Sequence, residues 1–220
     1  MIIDLHTHTQ EYSSCSHLPV EELINRAMVV GLDGVAVTDH SRIGGAEAAQ
    51  ELGAKYGFPV FRGVEVHTTL GDILVFGLYR DFSWEVDGHR LLRTVEEAGG
   101  ATIAAHPFRS VGYALGQALR MARIPLARAL DWCPELRWLA AVEVLNDHCD
   151  DGEASQARRL ARALGLPGVG GSDAHFASEV GSAATLFPDP ISTDEELIAA
   201  LRAGRCFPTR LIGESGWRDS

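Results

Sequence analysis

Short apolar runs alternate with amphipathic stretches along the whole chain. Seven of these runs have the length and composition of buried strands, and they cover residues 2–5, 34–38, 60–64, 101–105, 140–145, 168–171 and 205–208. A further apolar stretch, residues 72–79, follows the third run closely. Because a parallel return requires a longer crossover, this short gap predicts an antiparallel hairpin.

Four of the intervening stretches carry helix start and stop signals, and they cover residues 19–30, 86–98, 153–164 and 193–204. The first begins with a proline, has two glutamates in its first turn and ends before Gly31. The last opens with Thr-Asp-Glu-Glu at 193–196, which predicts a capping box. Residues 109–138 predict one or two helices, interrupted at Pro125 and Pro134.

This alternation of strands and helices predicts a parallel sheet, either open or closed into a barrel. Polar side chains that suit metal binding follow several different strands, spread over the chain. A barrel brings the carboxyl ends of all its strands to one face, whereas an open sheet gathers only those near its switch point. We therefore predict an α/β fold, a β/α barrel of about seven strands, formed by residues 1–220 as a single domain.

The chain is acidic and otherwise has an ordinary globular composition. Its 220 residues carry a formal net charge of −11, with 46% hydrophobic and 22% charged residues. Nucleic-acid scaffolds need a basic surface, so binding to long nucleic acids is disfavoured. No apolar run approaches the roughly 18 residues of a membrane helix, and the N-terminus lacks signal-peptide features. We expect a cytoplasmic protein without membrane contact, whose four cysteines are free thiols.

Two motifs place ligating side chains two residues apart at strand ends. His6 and His8 follow the first predicted strand, and Asp173 and His175 follow the sixth. Side chains at i and i+2 of a strand point to the same face, so each pair is suited to bind one metal ion. The glycines at 170 and 171 allow the backbone to approach its neighbours closely beside the second pair.

Three further predicted strands end in residues with ligating side chains. His40 is a candidate ligand, and Asp39 either orients an imidazole or caps the next helix. Glu65 follows a buried strand, where a carboxylate is costly unless it binds a cation or forms a surface salt bridge. His106 precedes Pro107, which disfavours helix, so we expect His106 to be extended at the sheet rim.

The candidate metal ligands at these five strand ends are His6, His8, His40, Glu65, His106, Asp173 and His175. A mixture of imidazole and carboxylate ligands suits zinc, manganese or iron better than calcium. The seven groups exceed what one tetrahedral ion accepts, so we expect about two or three divalent ions per chain. Glu65 is the candidate bridge between two of these ions.

The motifs that contain these residues resemble those of the PHP (polymerase and histidinol phosphatase) family of metal-dependent phosphoesterases. They are Asp4-Leu5-His6-Thr7-His8, Thr38-Asp39-His40, Gly63-Val64-Glu65, Ala105-His106-Pro107 and Gly171-Ser172-Asp173-Ala174-His175. Residues 143–146 and 192–205 also look like members with a stand-alone PHP domain. The resemblance implies a distorted, TIM-barrel-like fold of about seven strands, and phosphoester hydrolysis at a site with about two or three metal ions.

The chain departs from the family pattern at two places. Many members carry an Asp or His ligand shortly after the first motif, where His17 is the natural substitute here and Cys15 the second choice. Many also carry a His in the strand after the glutamate motif, where Asp72 and His67 are candidates. For His17, His67 and Asp72, a structural role is an equal alternative. Two further histidines are expected at the surface, His89 and His148.

These residues favour hydrolysis of a phosphomonoester of a small metabolite or nucleotide. Metal ions would lower the pKa of a water molecule and bind phosphate oxygens, while Asp173 or His175 orients that water. His106 is either a metal ligand or the proton donor to the leaving group. Arg109 is a candidate bidentate clamp for the phosphate or, alternatively, a solvated loop charge, and Arg42 is a weaker candidate.

Other functions stay open on the sequence alone. A phosphodiesterase or nuclease acting on short nucleotides is compatible with an acidic chain, because bound cations invert the local potential. A metal-dependent amidohydrolase is chemically related, but no lysine lies near a strand end to serve as a carbamylated bridge. A non-catalytic PHP module that regulates a polymerase is the least favoured alternative.

Overall fold

The computed structural model describes residues 1–110 and 114–211. The strands are β1 (Ile2–Asp4), β2 (Gly34–Val37), β3 (Val60–Thr68), β4 (Gly71–Phe76), β5 (Ala101–Ala104), β6 (Ala141–Asn146), β7 (Gly168–Gly171), β8 (Ala184–Leu186) and β9 (Phe207–Thr209). The helices are α1 (Val20–Val30), α2 (Gly44–Tyr56), α3 (Gly88–Glu97), α4 (Leu115–Met121), α5 (Ala129–Trp132), α6 (Asp151–Leu164) and α7 (Asp194–Arg202). Within the described ranges, no helix is long and apolar enough to cross a membrane.

Strands β1 to β7 form the wall of a nearly closed barrel. Parallel pairing joins β1, β2 and β3 on one side and β5, β6 and β7 on the other. At the carboxyl rim, the Asp173 N–H donates to the His6 carbonyl at 2.8 Å and the His8 N–H donates to the Ala174 carbonyl at 3.0 Å. These two bonds join the end of β7 to the end of β1, so the predicted β/α barrel is confirmed.

Strand β4 distorts the barrel because it runs antiparallel between β3 and β5. The predicted hairpin is therefore confirmed, and its second strand is itself a member of the wall. The strand predicted at residues 205–208 is present as β9, but it pairs antiparallel with β8 at the edge of the nine-stranded sheet and does not continue the parallel wall. Strand β8, which pairs antiparallel with β1, has only three residues and no clear sequence pattern.

Apolar side chains pack on both faces of the wall. Strand β2 shows the alternation, because Ala36 belongs to the interior cluster while Val35 and Val37 belong to the cluster between the wall and the helices. Leu197 and Leu201 of α7 also belong to the interior cluster. Helix α7 therefore closes the amino end of the barrel, opposite the rim that carries the candidate ligands.

Local capping signals explain several of the helix ends. Helix α6 begins with a complete capping box, formed by Asp150 and Glu153. The capping box predicted for α7 is only half formed. The Thr193 hydroxyl accepts from the Glu196 N–H at 3.2 Å, but the Glu196 carboxylate accepts from the Ser192 N–H at 2.7 Å. The Glu196 carboxylate therefore accepts from the N–H of Ser192 instead of the N–H of Thr193, one residue further from the helix.

Two helical regions differ in how well the sequence predicts them. Helix α2 has no specific predicted counterpart, since it begins with two glycines and has no side-chain cap. Residues 109–138 contain α4 and α5, with 3-10 turns at Leu126–Arg128 and Pro134–Trp138. The predicted interruptions at Pro125 and Pro134 are confirmed, whereas residues 111–113 of this region lie outside the described residues.

The buried carboxylate of Asp194 fastens α7 to the wall. It accepts hydrogen bonds from the backbone N–H and the Nε of Arg62 at 2.9 and 2.8 Å. Its side chain is only 5% exposed, so water cannot readily replace these donors. The contact fixes the helix that plugs the amino end of the barrel.

We predict that Asp194→Ala lowers the free energy of unfolding by about 1.5–3 kcal/mol, because two donors lose a charged acceptor in a buried place. Urea denaturation followed by circular dichroism measures this loss. The matched control is Asp189→Ala, which removes an exposed pair with Arg205 and should lose only about 0–1 kcal/mol. Equal losses in the two variants would contradict the role given to Asp194.

Candidate metal centre

The carboxyl rim of the barrel brings together the candidate ligands from the five strand ends. The Nε2 atoms of His6 and His8 lie 3.2 Å apart. Asp173 Oδ1 lies 3.4 Å from His6 Nε2 and 3.1 Å from His8 Nε2, and Glu65 Oε2 lies 3.4 and 3.3 Å from the same two atoms. All four side chains are buried, so they form one compact group of nitrogen and oxygen donors.

Glu65 lies at the centre of the candidate ligands. Its Oε1 is 3.0 Å from His106 Nε2, and its Oε2 is 3.0 Å from His40 Nδ1. Despite these contacts, Oε2 has no hydrogen-bond donor of acceptable geometry among the described side chains. A buried carboxylate oxygen without a donor is costly, and a cation would satisfy it. The donor set fits zinc, manganese or iron.

A second group of imidazoles adjoins the first. His8, His40 and His175 converge with ring centroids 4.5 Å apart for His8 and His40 and 4.6 Å apart for His8 and His175. The thiol of Cys15 lies beside His175 and His40. Burial alone would raise the pKa of this thiol, but these imidazoles lower the pKa to about 6. Cys15 therefore offers sulfur as a further donor beside the three imidazoles.

His17 does not join either group, which favours the structural alternative that the sequence left open for it. Its side chain is exposed and stacks on Phe176, with the ring centroids 5.1 Å apart. Only its backbone is near the site, since the His17 N–H donates to the His175 carbonyl at 2.9 Å. The turn closed by the Ser16 N–H and the Ser13 carbonyl places the exposed Cys15, and not His17, on the lining of the cleft.

Glu143 is a buried residue at the site to which the sequence interpretation gave no role. Its Oε1 lies 3.1 Å from His6 Nδ1, and its Oε2 accepts from the His106 N–H at 2.7 Å. The available signal was a lone carboxylate within an otherwise apolar predicted strand. Gly171 permits this contact, because a Cβ there would lie 2.5 Å from His6 Cβ and 2.7 Å from Glu143 Oε1.

Asp39 acts on the imidazoles through a hydroxyl. Its Oδ1 accepts from the Thr9 N–H at 2.6 Å and from the Ser13 hydroxyl at 2.7 Å. Ser13 Oγ lies 3.5 Å from His8 Nδ1 and accepts from the His40 N–H at 3.1 Å. The orienting role predicted for Asp39 therefore takes the form of a relay through Ser13, and not of a direct contact with an imidazole.

Two candidate ligands have left-handed backbone conformations. His106 has φ +25° and Asp173 has φ +58°. The prediction that His106 is extended is wrong, because Pro107 excludes helix without excluding positive φ. The Glu143 carboxylate holds the His106 N–H in this conformation. Such conformations cost of order 1–3 kcal/mol each and concentrate at functional sites.

Hydrogen bonds at the outer side of two imidazoles decide which nitrogen faces the cluster. His6 Nδ1 faces the Glu143 carboxylate at 3.1 Å, and His175 Nδ1 faces the Asp173 carbonyl at 2.7 Å. Both partners are acceptors, so each Nδ1 carries the proton. The Nε2 atoms of both residues therefore face the cluster, and a metal ion would bind there in place of a proton.

Opposite charges compensate one another inside the cluster. Burial by itself would raise the pKa values of Glu65 and Asp173, but the imidazoles of His40 and His6 around Glu65 and of His6 and His8 around Asp173 hold both well below the usual range. Burial would lower the pKa of His6, but Asp173, Glu143 and Glu65 raise it well above its usual value. The carboxylates therefore stay ionised and ready to bind a cation.

The two candidate phosphate-binding arginines point in different directions. Arg109 Nη1 donates to Asp173 Oδ2 at 2.8 Å, and its buried Nε has no acceptor within the described part of the chain. Arg42 pairs with Asp81 at 2.7 Å and is 59% exposed. Arg109 is thus positioned at the cluster, and Arg42 is held at the surface.

His67 and Asp72 form a pair beside the cluster. His67 Nδ1 lies 2.7 Å from Asp72 Oδ1, and Asp72 Oδ2 lies 3.9 Å from Arg109 Nη2. Their mutual hydrogen bond gives them a structural role in this conformation. His148, expected at the surface, is 37% exposed, yet its Nε2 lies 3.1 Å from the Asp173 carbonyl. It therefore helps to hold the loop that carries Asp173.

A cleft of 470 Å³ opens beside the imidazoles. Cys15, His40 and Asp72 line its inner side. Its outer side has aromatic walls, including Phe82 and Trp84, and Trp84 is 81% exposed. The cleft has the size of a small-molecule site and joins polar donors to flat apolar surfaces.

Two family models match the chain. The PHP domain model matches residues 4–105, and the PHP-associated model matches residues 153–206. The uncharacterised protein MJ1587 of Methanocaldococcus jannaschii is 32% identical over 126 residues, which span 53% of this chain and 73% of that protein. The matched ranges include all seven candidate ligands except His106.

Solved structures with low sequence identity share the fold. A two-domain protein from Bacteroides vulgatus, containing a predicted PHP-like metal-dependent phosphoesterase, aligns with TM-score 0.68 at 16% identity over 96% of this chain. This chain spans 65% of the length of that protein. An amidohydrolase from Chromobacterium violaceum, with bound sulfate and no metal, aligns with TM-score 0.64 at 18% identity, covering 97% of this chain and 99% of that one. By its motifs, its fold and both family models, the chain belongs to the PHP family.

Proposed function

We propose that this protein is a metal-dependent phosphoesterase that hydrolyses a phosphomonoester of a small metabolite or nucleotide. The observation that carries the proposal is the buried Glu65 Oε2, which lies within 3.4 Å of nitrogens of His6, His8 and His40 but has no hydrogen-bond donor of acceptable geometry among the described side chains. A cation shared with these imidazoles would satisfy that oxygen and the neighbouring lone pairs together. Family membership supports the same chemistry.

The candidate ligands divide into groups that would bind about two or three divalent ions. His6, His8, Glu65 and Asp173 would hold one ion. The remaining ligands are His40 and His175, joined by Cys15, and His106 at the other oxygen of Glu65. Bound divalent ions would lower the pKa of a coordinated water molecule and offset the negative charge of the phosphate.

Arg109 would bind and orient the phosphate. Its Nη1 is fixed by Asp173 at 2.8 Å, and its buried Nε has no acceptor among residues 1–110 and 114–211. A guanidinium presents several N–H donors in one plane, which matches two oxygens of a phosphate. Arg109 thus supplies positive charge on the side of Asp173 that faces away from His6 and His8.

The other polar side chains would act on water and the leaving group. Asp173 and His175 lie together at the rim, where they are suited to orient the attacking water. His106 Nε2 points at Glu65 Oε1 from 3.0 Å, which favours the ligand role over the proton-donor role. The aromatic walls of the cleft at Phe82 and Trp84 suit a leaving group with a flat ring, such as a nucleoside.

Two related activities would use the same ions. A phosphodiesterase acting on short nucleotides needs the same cations and differs only in the space around the phosphorus. An amidohydrolase is favoured by the name of the Chromobacterium violaceum neighbour, although its bound sulfate has the shape of a phosphate. The single lysine of this chain, Lys55, is exposed on α2 and cannot supply a carbamylated bridge.

We predict that protein purified without chelator carries about two or three divalent ions per chain, measured by elemental analysis. With manganese or zinc, it should hydrolyse phosphomonoesters faster than phosphodiesters or amides, and removal of the ions should abolish this activity. A panel containing nucleotides, sugar phosphates, diesters and N-acyl compounds ranks the alternatives. Absence of both bound metal and metal-stimulated hydrolysis would exclude the proposed function.

We predict that His8→Ala and Asp173→Ala each abolish hydrolysis while the fold is retained, because both side chains contact Glu65 or its imidazole partners in the buried cluster. Steady-state assays with saturating metal, together with circular dichroism, measure the two effects. The matched controls are His17→Ala and Asp81→Ala, whose side chains are exposed and outside the cluster. Turnover near that of the wild type in either cluster variant would refute the ligand assignment.

We predict that Glu143→Gln weakens metal affinity by roughly 10–100-fold, since the carboxylate that orients His6 and holds the His106 N–H is lost. Excess metal should restore much of the activity, because the ligands themselves remain. Metal titration followed by hydrolysis measures the shift. Glu22→Gln, on the exposed face of α1, is the control. An unchanged metal dependence in Glu143→Gln would show that Glu143 has no orienting role.

A further inference from the structure

A second cluster of ligating side chains shares no residue with the metal centre at the rim. It consists of His89 at the start of α3, and Cys133 and Glu135 in the segment before β6. Cys133 is fully buried, Glu135 is 17% exposed and His89 is 43% exposed. Three different donor atoms, one each of nitrogen, sulfur and oxygen, therefore converge at the edge of the core.

The distances within this cluster match those around a tetrahedral zinc ion. His89 Nδ1 lies 3.2 Å from Glu135 Oε2, and Cys133 Sγ lies 3.5 Å from His89 Nδ1 and 3.7 Å from Glu135 Oε2. Normal zinc–ligand lengths and a tetrahedral angle place nitrogen and oxygen about 3.3 Å apart, and sulfur about 3.6 Å from either. The distances between the three donor atoms are thus those expected between ligands of one zinc ion.

Hydrogen bonding alone does not account for the whole triangle. With a neutral imidazole and thiol, the cluster has at most one proton at His89 Nδ1, in one of the two tautomers, and one at Cys133 Sγ. Glu135 Oε2 accepts both of these, which satisfies two sides of the triangle. The third side, between Cys133 Sγ and His89 Nδ1 at 3.5 Å, is left without a proton. A cation among the three atoms would account for all three approaches.

We propose that His89, Cys133 and Glu135 form an auxiliary site for a thiophilic divalent cation, of which zinc is the biological example. Arg93 Nη2 contacts Glu135 Oε1 at 3.3 Å and leaves Oε2 directed at the other two donors. The exposure of His89 leaves room for water as the fourth ligand.

An ion at this site would cross-link two segments of the chain, each of which immediately precedes a strand of the wall. Helix α3 leads into β5, which ends next to His106, and the segment with Cys133 and Glu135 leads into β6, which carries Glu143. The ion would stabilise the folded chain by an amount that grows with metal concentration. Its role is structural, since none of the three side chains belongs to the cluster at the rim.

The test uses cobalt(II), which gives a thiolate-to-metal charge-transfer band only when a cysteine binds it. The parent is the full chain with Cys15→Ala, so that the thiol at the rim does not contribute. We expect this parent to show the band, the added Cys133→Ser change to remove it, and the zinc content to fall by about one ion per chain. The added His89→Ala change should weaken cobalt binding at least about tenfold, as loss of a ligand does.

Cys206→Ser is the matched control, because Cys206 is also buried and packs in the apolar interior cluster of the barrel. It should retain the band. If Cys133→Ser folds poorly, the exposed His89→Ala change still decides the outcome. A parent without the band, or a band that survives both changes, would overturn the proposal. Phosphoester hydrolysis at saturating metal should be unchanged in Cys133→Ser, so failure of the proposed function and failure of this site are distinguishable.

Discussion

Buried negative charge at the carboxyl rim is the constraint on which the arrangement of the site depends. Glu65 and Asp173 are almost fully buried, and each contacts the imidazoles of both His6 and His8. Ionised carboxylates are costly in such a place unless opposite charge lies within contact distance. The strand ends that carry the carboxylates and imidazoles must therefore meet, and cations would complete the compensation that the imidazoles begin.

The rest of the rim holds these groups in position. Glu143 binds both His6 and the backbone of His106, and Asp39 reaches His8 through Ser13. Two backbone bonds between the ends of β7 and β1 close the wall where the ligands stand. Because the barrel interior below is apolar and plugged by α7, chemistry is confined to this end. The proposed zinc cluster differs in kind, since it contains a thiol and lies in the layer outside the wall.

Much of the fold and of the ligand set could be predicted because the signals are local. A buried strand requires an apolar run, and the residue after it is where a ligand can face the rim. His6 and His8 are therefore recognisable from their spacing and their place. Proline, glycine and capping residues fix most helix ends for the same reason. Helix α2 begins with glycines, and neither α2 nor β8 has a strong local sequence pattern that predicts it.

The alternation of strands and helices, the strand ends that carry ligands and the family all follow from local patterns in the sequence. Three features follow from long-range contacts instead: β4 completes the wall, Cys15 and not His17 faces the imidazoles, and Arg109 and not Arg42 reaches the cluster. The tertiary structure also reveals the role of Glu143. The physical reason is that periodicity and capping depend on near neighbours in the chain. The direction of a loop side chain depends instead on contacts with residues far away in sequence.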